Sequence, residues 1–483
     1  MSPPRFRLVA AGVLLAALAA VPARALHRVT PGAARVTHGA AVSHPSTRSW
    51  GYLLAFSSTE DLAATGSTGR QVFVFGLFDY DCQYGTPAPE LSSCPGAAPP
   101  FLTQVTSGPG AADDPSATAG GTLVAFDADG SYAGGAGPGV GHRQIFVKDL
   151  TTNTLLRVTD APDGDSTHPS LSEGGNDLVF ESTAALGGGP AGISQIYRYE
   201  VAGGLLTPIT HGLGGSRAPM PSKLGRVVSF ESTAALLGDG HDTGISQVFW
   251  YDALFAQLHQ LTAGNASSQH AYVTTRLRGR GLRGVVGRGA AIVFDSLATN
   301  LPGTAGGPAT QVYIGSTGAG DLPQIVQLTP TAVSGCSPAF SGTSSYPAFD
   351  AFGRRVAFIS TGDLLCNSTA GNRAFVLDGK RAPFALLQLT GQGDVQGPLG
   401  MSFGHWFVTL STTDDLTGAG VCGHQLHVLD FLAGHWNAAS TAGALPAEPA
   451  PGNPAAACDD GDACTLDSCA AAGCQHAAIP SCP

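Results

Sequence analysis

The sequence predicts an all-β protein: a seven-bladed β-propeller of four-stranded antiparallel blades, followed by a small disulfide-rich C-terminal module. Three observations lead to this prediction. The 483 residues include 66 Gly and 33 Pro but only 12% charged residues, a composition that favours many short strands joined by turns. A short strand centred on an aromatic residue recurs along the chain. The last segment is rich in cysteine.

The recurring strand has seven copies, which predict about seven structural units. The copies are Leu54-Ala55-Phe56, Val124-Ala125-Phe126, Leu178-Val179-Phe180, Val228-Ser229-Phe230, Ile292-Val293-Phe294, Val356-Ala357-Phe358 and the weaker Val408-Thr409-Leu410. In five copies a proline stands 11 residues before the aromatic residue. These prolines are Pro45, Pro115, Pro169, Pro219 and Pro347. A glycine-bearing turn between the two is typical of a hairpin, so we expect the proline to open one strand and the aromatic residue to centre the next.

Two further strands follow each aromatic strand. The third begins with Gln and continues with an aliphatic residue, as at Gln71, Gln144, Gln195, Gln247, Gln311 and Gln425. The fourth ends near Thr, as in Gln260-Leu261-Thr262. Four alternating strands cannot bury both faces alone, and radial stacking of such units solves this problem. An open β-solenoid is the alternative architecture, but its repeats are usually shorter.

The pattern resembles the TolB-type propeller repeat, a WD-like repeat, over roughly residues 35–439. It differs in having Gln where that family usually has Asp, and we expect no counterpart of the separate α/β domain of TolB. The resemblance implies a periplasmic or extracellular propeller without implying one activity. Arg28-Val29-Thr30 and Arg35-Val36-Thr37 precede the first repeat and look like fourth strands. They either complete the last blade or belong to an export remnant.

The N-terminus predicts export. Residues 1–25 combine two arginines, a 13-residue apolar run and Ala23-Arg24-Ala25, which together indicate a cleaved signal peptide. A retained anchor is the alternative, although a spanning helix needs about 20 apolar residues. Cleavage would remove three arginines and no acid, lowering the formal charge from −11 to −14. We therefore expect a secreted, periplasmic or cell-surface protein with no membrane span in the mature chain and no nucleic-acid partner.

The predicted propeller covers 26–440, a Pro/Ala-rich linker covers 441–457, and a cysteine-rich module covers 458–483. The module resembles the C-T-x-D-x-C repeat of secreted matrix and surface proteins. Ten cysteines in an exported chain favour disulfides, and we expect Cys82 and Cys94 to pair because they share one insertion. Asp459, Asp460 and Asp462 could ligate Ca²⁺ or simply form a solvated turn. The sequence indicates no other cofactor.

The residues directly before the repeated prolines are the candidates for a site at the channel mouth. They include His44, Asp114, His168 and Tyr346. Imidazoles and a carboxylate on neighbouring blades could bind a metal or move a proton, but such residues are also ordinary strand-entry caps. Blade 5 departs from the pattern, with a longer approach that contains His270 and Tyr272.

Blade 5 also contains a group of arginines, Arg276, Arg278, Arg280 and Arg283. They could hold an anionic glycan, or they could be a solvated insertion. The chain has no nucleophile elbow, zincin helix, phosphate loop or dinucleotide fingerprint, which favours a non-catalytic protein. We therefore expect a binding or scaffold module for a protein or a polysaccharide. An extracytoplasmic hydrolase or lyase with its site at the channel mouth and a structural matrix component are the alternatives.

Overall fold

The computed structural model describes residues 26–28, 53–59, 62–63, 65–76, 102–108, 111–118, 121–134, 136–238, 244–274, 289–302, 309–318, 325–330, 342–350, 353–366, 371–379, 385–390, 395–401, 407–412, 425–430, 465–470 and 473–478. His44, Cys82, Cys94, the arginines between 276 and 283, and Asp459, Asp460 and Asp462 lie outside these ranges. No helix within them has the length and apolarity needed to span a bilayer.

The strands form seven blades. In chain order they are β1 Leu26–Arg28, β2 Leu53–Ser58, β3 Gln71–Gly76, β4 Leu102–Gln104, β5 Ala112–Ala117, β6 Leu123–Asp129, β7 Arg143–Asp149, β8 Leu155–Arg157, β9 Ser166–Leu171, β10 Asp177–Ser182, β11 Gln195–Glu200, β12 Leu205–Pro208, β13 Ser216–Pro221, β14 Val227–Ser232, β15 Gln247–Asp252, β16 Gln257–Gln260, β17 Ser268–Thr274, β18 Ala291–Ser296, β19 Gln311–Ser316, β20 Val326–Gln327, β21 Ser344–Phe349, β22 Arg355–Ser360, β23 Arg373–Asp378, β24 Ala385–Gln388, β25 Val395–Met401, β26 Phe407–Thr412, β27 Gln425–Asp430, β28 Thr465–Ala470 and β29 Gly473–Ala478.

Blade 1 comprises the three described strands β2–β4. Blades 2 to 6 are the antiparallel four-stranded sheets β5–β8, β9–β12, β13–β16, β17–β20 and β21–β24. Within the described residues the helical segments are two 3-10 turns, Tyr132–Gly134 and Leu186–Gly188. The predicted all-β seven-bladed propeller is therefore confirmed. In the cysteine-rich tail, β28 and β29 form a separate antiparallel pair.

The ring is closed by the N-terminal segment. Blade 7 consists of β25, β26 and β27 with β1 as its outermost strand, and Leu26 pairs with Leu429. Of the two alternatives for this segment, completion of the last blade is confirmed. Pairing with β1 gives hydrogen-bond partners to the backbone groups at the edge of β27, which would otherwise be unpaired. Leu426 of β27 also packs against Leu54 and Phe56 of blade 1, so the last and first blades share a hydrophobic core.

Alternation along each second strand explains how the blades stack. In β6, Val124 and Phe126 pack on blade 1, whereas Ala125 packs on blade 3. The repeated aromatic residue also stacks on the aromatic residue of the third strand, for example Phe126 on Phe146 with ring centroids 5.8 Å apart. Burial of each such side chain stabilises the fold by about 1.5–3 kcal/mol. The period-2 pattern thus produces one face with the aromatic pair and one face of aliphatic residues such as Ala125, Ile145 and Val147.

The prediction that the repeated proline opens its strand is wrong. Pro115 and Pro169 lie in the middle of β5 and β9. There the residue before the proline and the proline together face the single aromatic residue of the second strand, which is a β-bulge. A proline is tolerated at this point because a bulge already interrupts the ladder of backbone hydrogen bonds.

The repeated Gln ties the third strand to the end of the fourth. In blade 4, Oε1 of Gln247 accepts a hydrogen bond from Thr262 Oγ1 at 2.7 Å, and its Nε2 donates to the Gly264 carbonyl at 2.9 Å. The same Thr-to-Gln hydrogen bond occurs in blades 1, 3 and 5. Blade 6 is different because Arg373 begins its third strand.

Candidate functional site

The candidate site is built on the innermost strands. Strands β5, β9, β13, β17, β21 and β25 contact one another from blade to blade around the axis. Near the beginning of the first five, one residue adopts a left-handed backbone conformation. These residues, which we call the axial ring, are Asp114 (φ 47°), His168 (52°), Ala218 (53°), His270 (53°) and Tyr346 (51°).

A left-handed conformation is unfavourable for residues other than glycine, at roughly 1–2 kcal/mol each. Such strain persists only where the surroundings hold it, and it is concentrated at functional sites. Here an acid in the preceding blade holds each of four members; Asp127, Glu231 and Asp295 are buried and Glu181 is partly buried. The acid directly follows the repeated Phe, and it accepts the backbone N–H of the ring residue. The pairs are His168 with Asp127 at 3.3 Å, Ala218 with Glu181 at 2.9 Å, His270 with Glu231, and Tyr346 with Asp295 at 2.9 Å.

His168 is held between two carboxylates. Its Nε2 lies 3.2 Å from Asp114 Oδ2, and its Nδ1 lies 3.2 Å from Glu181 Oε1. The His168 side chain is nevertheless 45% exposed. Asp114 and His168, which the sequence analysis proposed as neighbours, are therefore in direct contact across blades 2 and 3.

His270 belongs to a second cluster. Its Nδ1 lies 2.7 Å from Asp295 Oδ2, the oxygen that also accepts the Tyr346 N–H. The imidazole lies against the Tyr346 ring, with centroids 4.0 Å apart. On blade 4, Arg217 Nε donates to Glu231 Oε2 at 3.1 Å. Tyr346 is therefore in contact with His270, while Asp114 and His168 form the other cluster.

Burial and neighbouring charges compete in the second cluster. Burial lowers the pKa of His270, but the hydrogen bond that it donates to Asp295 and the charges of Asp295 and Glu231 outweigh this effect, so the pKa is raised. Burial raises the pKa of Glu231, and His270 and Arg217 offset part of this effect. Burial and the two carboxylates also raise the pKa of Tyr346. The imidazole is therefore more readily protonated than a free histidine.

Three parts of this site were not predicted from the sequence: His270 as a ring member, Arg217, and the acids that hold the ring residues. The repeat pattern did not identify His270 because Ala271 stands in place of the proline. The long hairpin after β17 also breaks the 11-residue spacing between that position and Phe294. A visible pattern could have revealed the acids, since Asp or Glu directly follows the repeated Phe in blades 2 to 5. Within the described ranges no group of three His, Cys, Asp or Glu residues has the arrangement of a metal site.

Among the described cysteines none is free, and Cys366 is disulfide-bonded. The predicted Cys82–Cys94 bond, the Ca²⁺ ligands of the tail and the arginine group remain predictions. In the sequence the arginine group lies between β17 and β18, outside the described residues.

The cysteine-rich tail matches the family model of the Dictyostelium (slime mold) repeat over residues 457–479. This match confirms the cysteine repeat predicted from the sequence. A comparison with curated protein sequences found no significant match.

Similar solved structures include TolB from Acinetobacter baumannii, 15% identical over 61% of this chain and 61% of that chain, with a TM-score of 0.37. They also include an oligogalacturonate lyase in complex with manganese, at 12% identity over 84% and 92% with a TM-score of 0.49. A third is a puromycin-hydrolyzing peptidase of Mycobacterium tuberculosis, at 12% over 86% and 56% with a TM-score of 0.48. The chain thus spans less than two thirds of the TolB and peptidase structures. Similarities at this level carry no argument about activity.

Proposed function

We propose that this protein is an extracytoplasmic binding module that holds a protein or polysaccharide ligand at the axial ring. The observation that carries the proposal is the repeated left-handed backbone of Asp114, His168, Ala218, His270 and Tyr346. Five strained residues at one level of the ring indicate selection for what their side chains present to solvent. The predicted signal peptide supports the location outside the cytoplasm.

The ring offers polar groups in fixed positions. His168 and Arg217 are 45% and 53% exposed; two partly buried carboxylates hold His168, and the buried Glu231 holds Arg217. Groups held in this way lose little conformational freedom when a ligand binds, which favours affinity. The carboxylate contacts that fix His168 and Arg217 therefore favour a role in binding.

The test is a screen of the exported protein against immobilised polysaccharides and extracellular proteins, followed by the variant His168→Ala. We expect the variant to weaken binding of the captured ligand by about tenfold, as for loss of a hydrogen bond to a charged group. The matched control is His259→Ala, which removes the same side chain from β16, the outermost strand of blade 4. Equal effects of the two variants would contradict binding at the axial ring.

A hydrolase or lyase is the second candidate, and one observation favours it. The Nδ1 atom of His270 is hydrogen-bonded to Asp295, which leaves Nε2 available as a general base. An enzyme would release new chain ends from a bound polysaccharide, and His270→Gln would abolish their release while leaving binding measurable. A ligand that binds and is recovered intact after prolonged incubation contradicts this candidate.

A further inference from the structure

One buried carboxylate orients two cationic side chains on neighbouring blades. Glu231 is 3% exposed; its Oε2 accepts from Arg217 Nε at 3.1 Å, and its Oε1 accepts from the backbone N–H of His270. Arg217 pairs with Glu231 across the β13–β14 ladder. His270 lies near the beginning of β17, the innermost strand of the next blade. Glu231 therefore fixes the Arg217 side chain relative to the His270 backbone, and Asp295 holds the His270 imidazole.

Both side chains keep donors for a ligand. Within the described part of the chain, the terminal Nη1 and Nη2 of Arg217 and the Nε2 of His270 make no hydrogen bond. Arg217 is 53% and His270 36% exposed. Ala218 carries the smallest side chain of the axial ring, where the neighbouring blades carry His168 and His270. The side chains of the axial ring therefore occupy the least space at Ala218, next to these donors.

The charges around His270 favour its protonated form. Asp295 of its own blade, Glu231 and Arg217 of blade 4, and Tyr346 of blade 6 are the titratable groups that face it. The two carboxylates outweigh the effects of burial and of Arg217, and they raise the pKa of His270. A second donor beside the guanidinium is therefore cationic under mildly acidic conditions.

We propose that Arg217 and His270 bind the carboxylate of an acidic saccharide. This inference rests on the proposed function, since it names the ligand class of the same site. A guanidinium can donate two parallel hydrogen bonds to a carboxylate, and an adjacent imidazolium adds a third charge-assisted donor.

The surroundings favour a saccharide over a protein. Protein interfaces have apolar and aromatic residues at their centre. Among the described residues, no innermost strand carries an exposed large apolar side chain; those at this end of the blades, such as Leu213 and Leu297, lie in the connections outside the innermost strands. The Tyr346 ring is covered on one side by His270 and lies close to Gly397 on the next blade. What the site presents is polar, and a polar ligand with a charged group matches it.

The test is calorimetric titration of the full protein with a mannuronate tetrasaccharide and with its methyl ester, at pH 6 and at pH 8. The ester keeps the shape of the saccharide and removes its charge. We expect the acid to bind at least about tenfold more tightly than the ester, and more tightly at pH 6 than at pH 8. Arg217→Gln should weaken binding of the acid about tenfold, and His270→Gln should also remove the pH dependence.

Arg226→Gln is the matched control, because it makes the same change of charge in the exposed β13–β14 hairpin, at the far end of the same pair of strands. Equal losses from Arg217→Gln and Arg226→Gln would overturn the inference, as would equal affinity for the acid and the ester. A glutamate-rich peptide that binds with the same affinity and the same dependence on Arg217 would overturn the saccharide assignment. Capture of an uncharged ligand that requires His168 but not Arg217 would overturn the inference and leave the proposed function standing. If the ring variants change the binding of no ligand, both fail.

Discussion

The carboxylate of Asp295 in blade 5 accepts the backbone N–H of Tyr346 in blade 6 at 2.9 Å. Equivalent hydrogen bonds, in which Asp127, Glu181 and Glu231 accept a backbone N–H of the next blade, link blades 2 to 5. Each hydrogen bond connects neighbouring blades near the axis. It also holds a residue in the left-handed conformation, which determines the direction of its side chain. Stability and the geometry of the axial ring therefore depend on the same four acids.

Replacing Asp295 should destabilise the protein. Asp295→Ala would remove the acceptor of the Tyr346 N–H and the partner of His270 Nδ1, and we expect a loss of about 2–3 kcal/mol in the free energy of unfolding. Asp295→Asn keeps one acceptor oxygen and should cost less. Urea denaturation checks both values. A loss below 0.5 kcal/mol for Asp295→Ala would show that the bond between the blades contributes little.

Ala218→Gly should stabilise the protein by about 0.5–1 kcal/mol. Ala218 has a φ of 53°, where glycine is favoured and alanine is strained. The matched control is Ala125→Gly in β6, where the backbone is an ordinary buried strand and the change should be destabilising. Thermal unfolding of the two variants distinguishes these effects. Destabilisation by both would show that the left-handed residue carries no strain.

Arg373→Gln should give blade 6 the Thr-to-Gln hydrogen bond that occurs in blades 1, 3, 4 and 5. Arg373 is fully buried; its Nη2 donates to the Thr361 carbonyl at 3.2 Å, while Nε and Nη1 have no hydrogen-bond partner in the structure as described. Burial lowers its pKa, an effect that nearby Asp363 opposes. A Gln would accept from Thr390 as Gln247 does from Thr262. We expect stabilisation of about 1–3 kcal/mol, whereas the reverse change Gln247→Arg should destabilise.

Asp350 should make stability depend on pH. Burial raises the pKa of Asp350 from 3.8 to about 6, and the backbone N–H groups of Arg354 and Arg355 offset only part of this effect. A raised pKa means that the contribution to stability is complete below pH 3.8 and is lost as the pH rises through about 6. Asp350→Asn should avoid this loss.

The variant Asp350→Asn should therefore match the original protein in stability near pH 4 and exceed it above pH 6, by at most about 3 kcal/mol. Urea denaturation from pH 4 to pH 8 measures the difference. A constant difference across this range would show that Asp350 is not the group that titrates.

The closing strand should be necessary for stability. Replacing Leu26–Arg28 with three glycines removes a strand that pairs along β27, and it leaves that edge open to other chains. We expect a lower melting temperature and concentration-dependent aggregation. The control is the same replacement at Arg35-Val36-Thr37, the other segment that resembles a fourth strand. Loss of stability from the control alone would indicate that the second segment closes the ring.

Local patterns in the sequence were enough to predict the blades. Alternation around Phe126 or Phe180 determines which side chains face each neighbouring blade, and this information lies within a few residues of each strand. The prediction that Asp114 and His168 lie on neighbouring blades at the same end of the ring followed from the same regularity, since both residues stand directly before a proline. His270 could not be placed in this way, because an insertion changed its distance from Phe294 without changing its position on the innermost strand.

The sequence by itself determined the strand repeat, the number of blades and the cysteine repeat of the tail, because each depends on short-range spacing. Only the tertiary structure decided that Leu26–Arg28 closes the ring, that Glu231 holds both Arg217 and His270, and that left-handed residues line the axis. These features join residues on different blades, and ring closure brings them together. Hydrogen bonds between blades depend on how the blades pack, so the local pattern of Asp or Glu after the repeated Phe marks the acceptors but not their partners on the next blade.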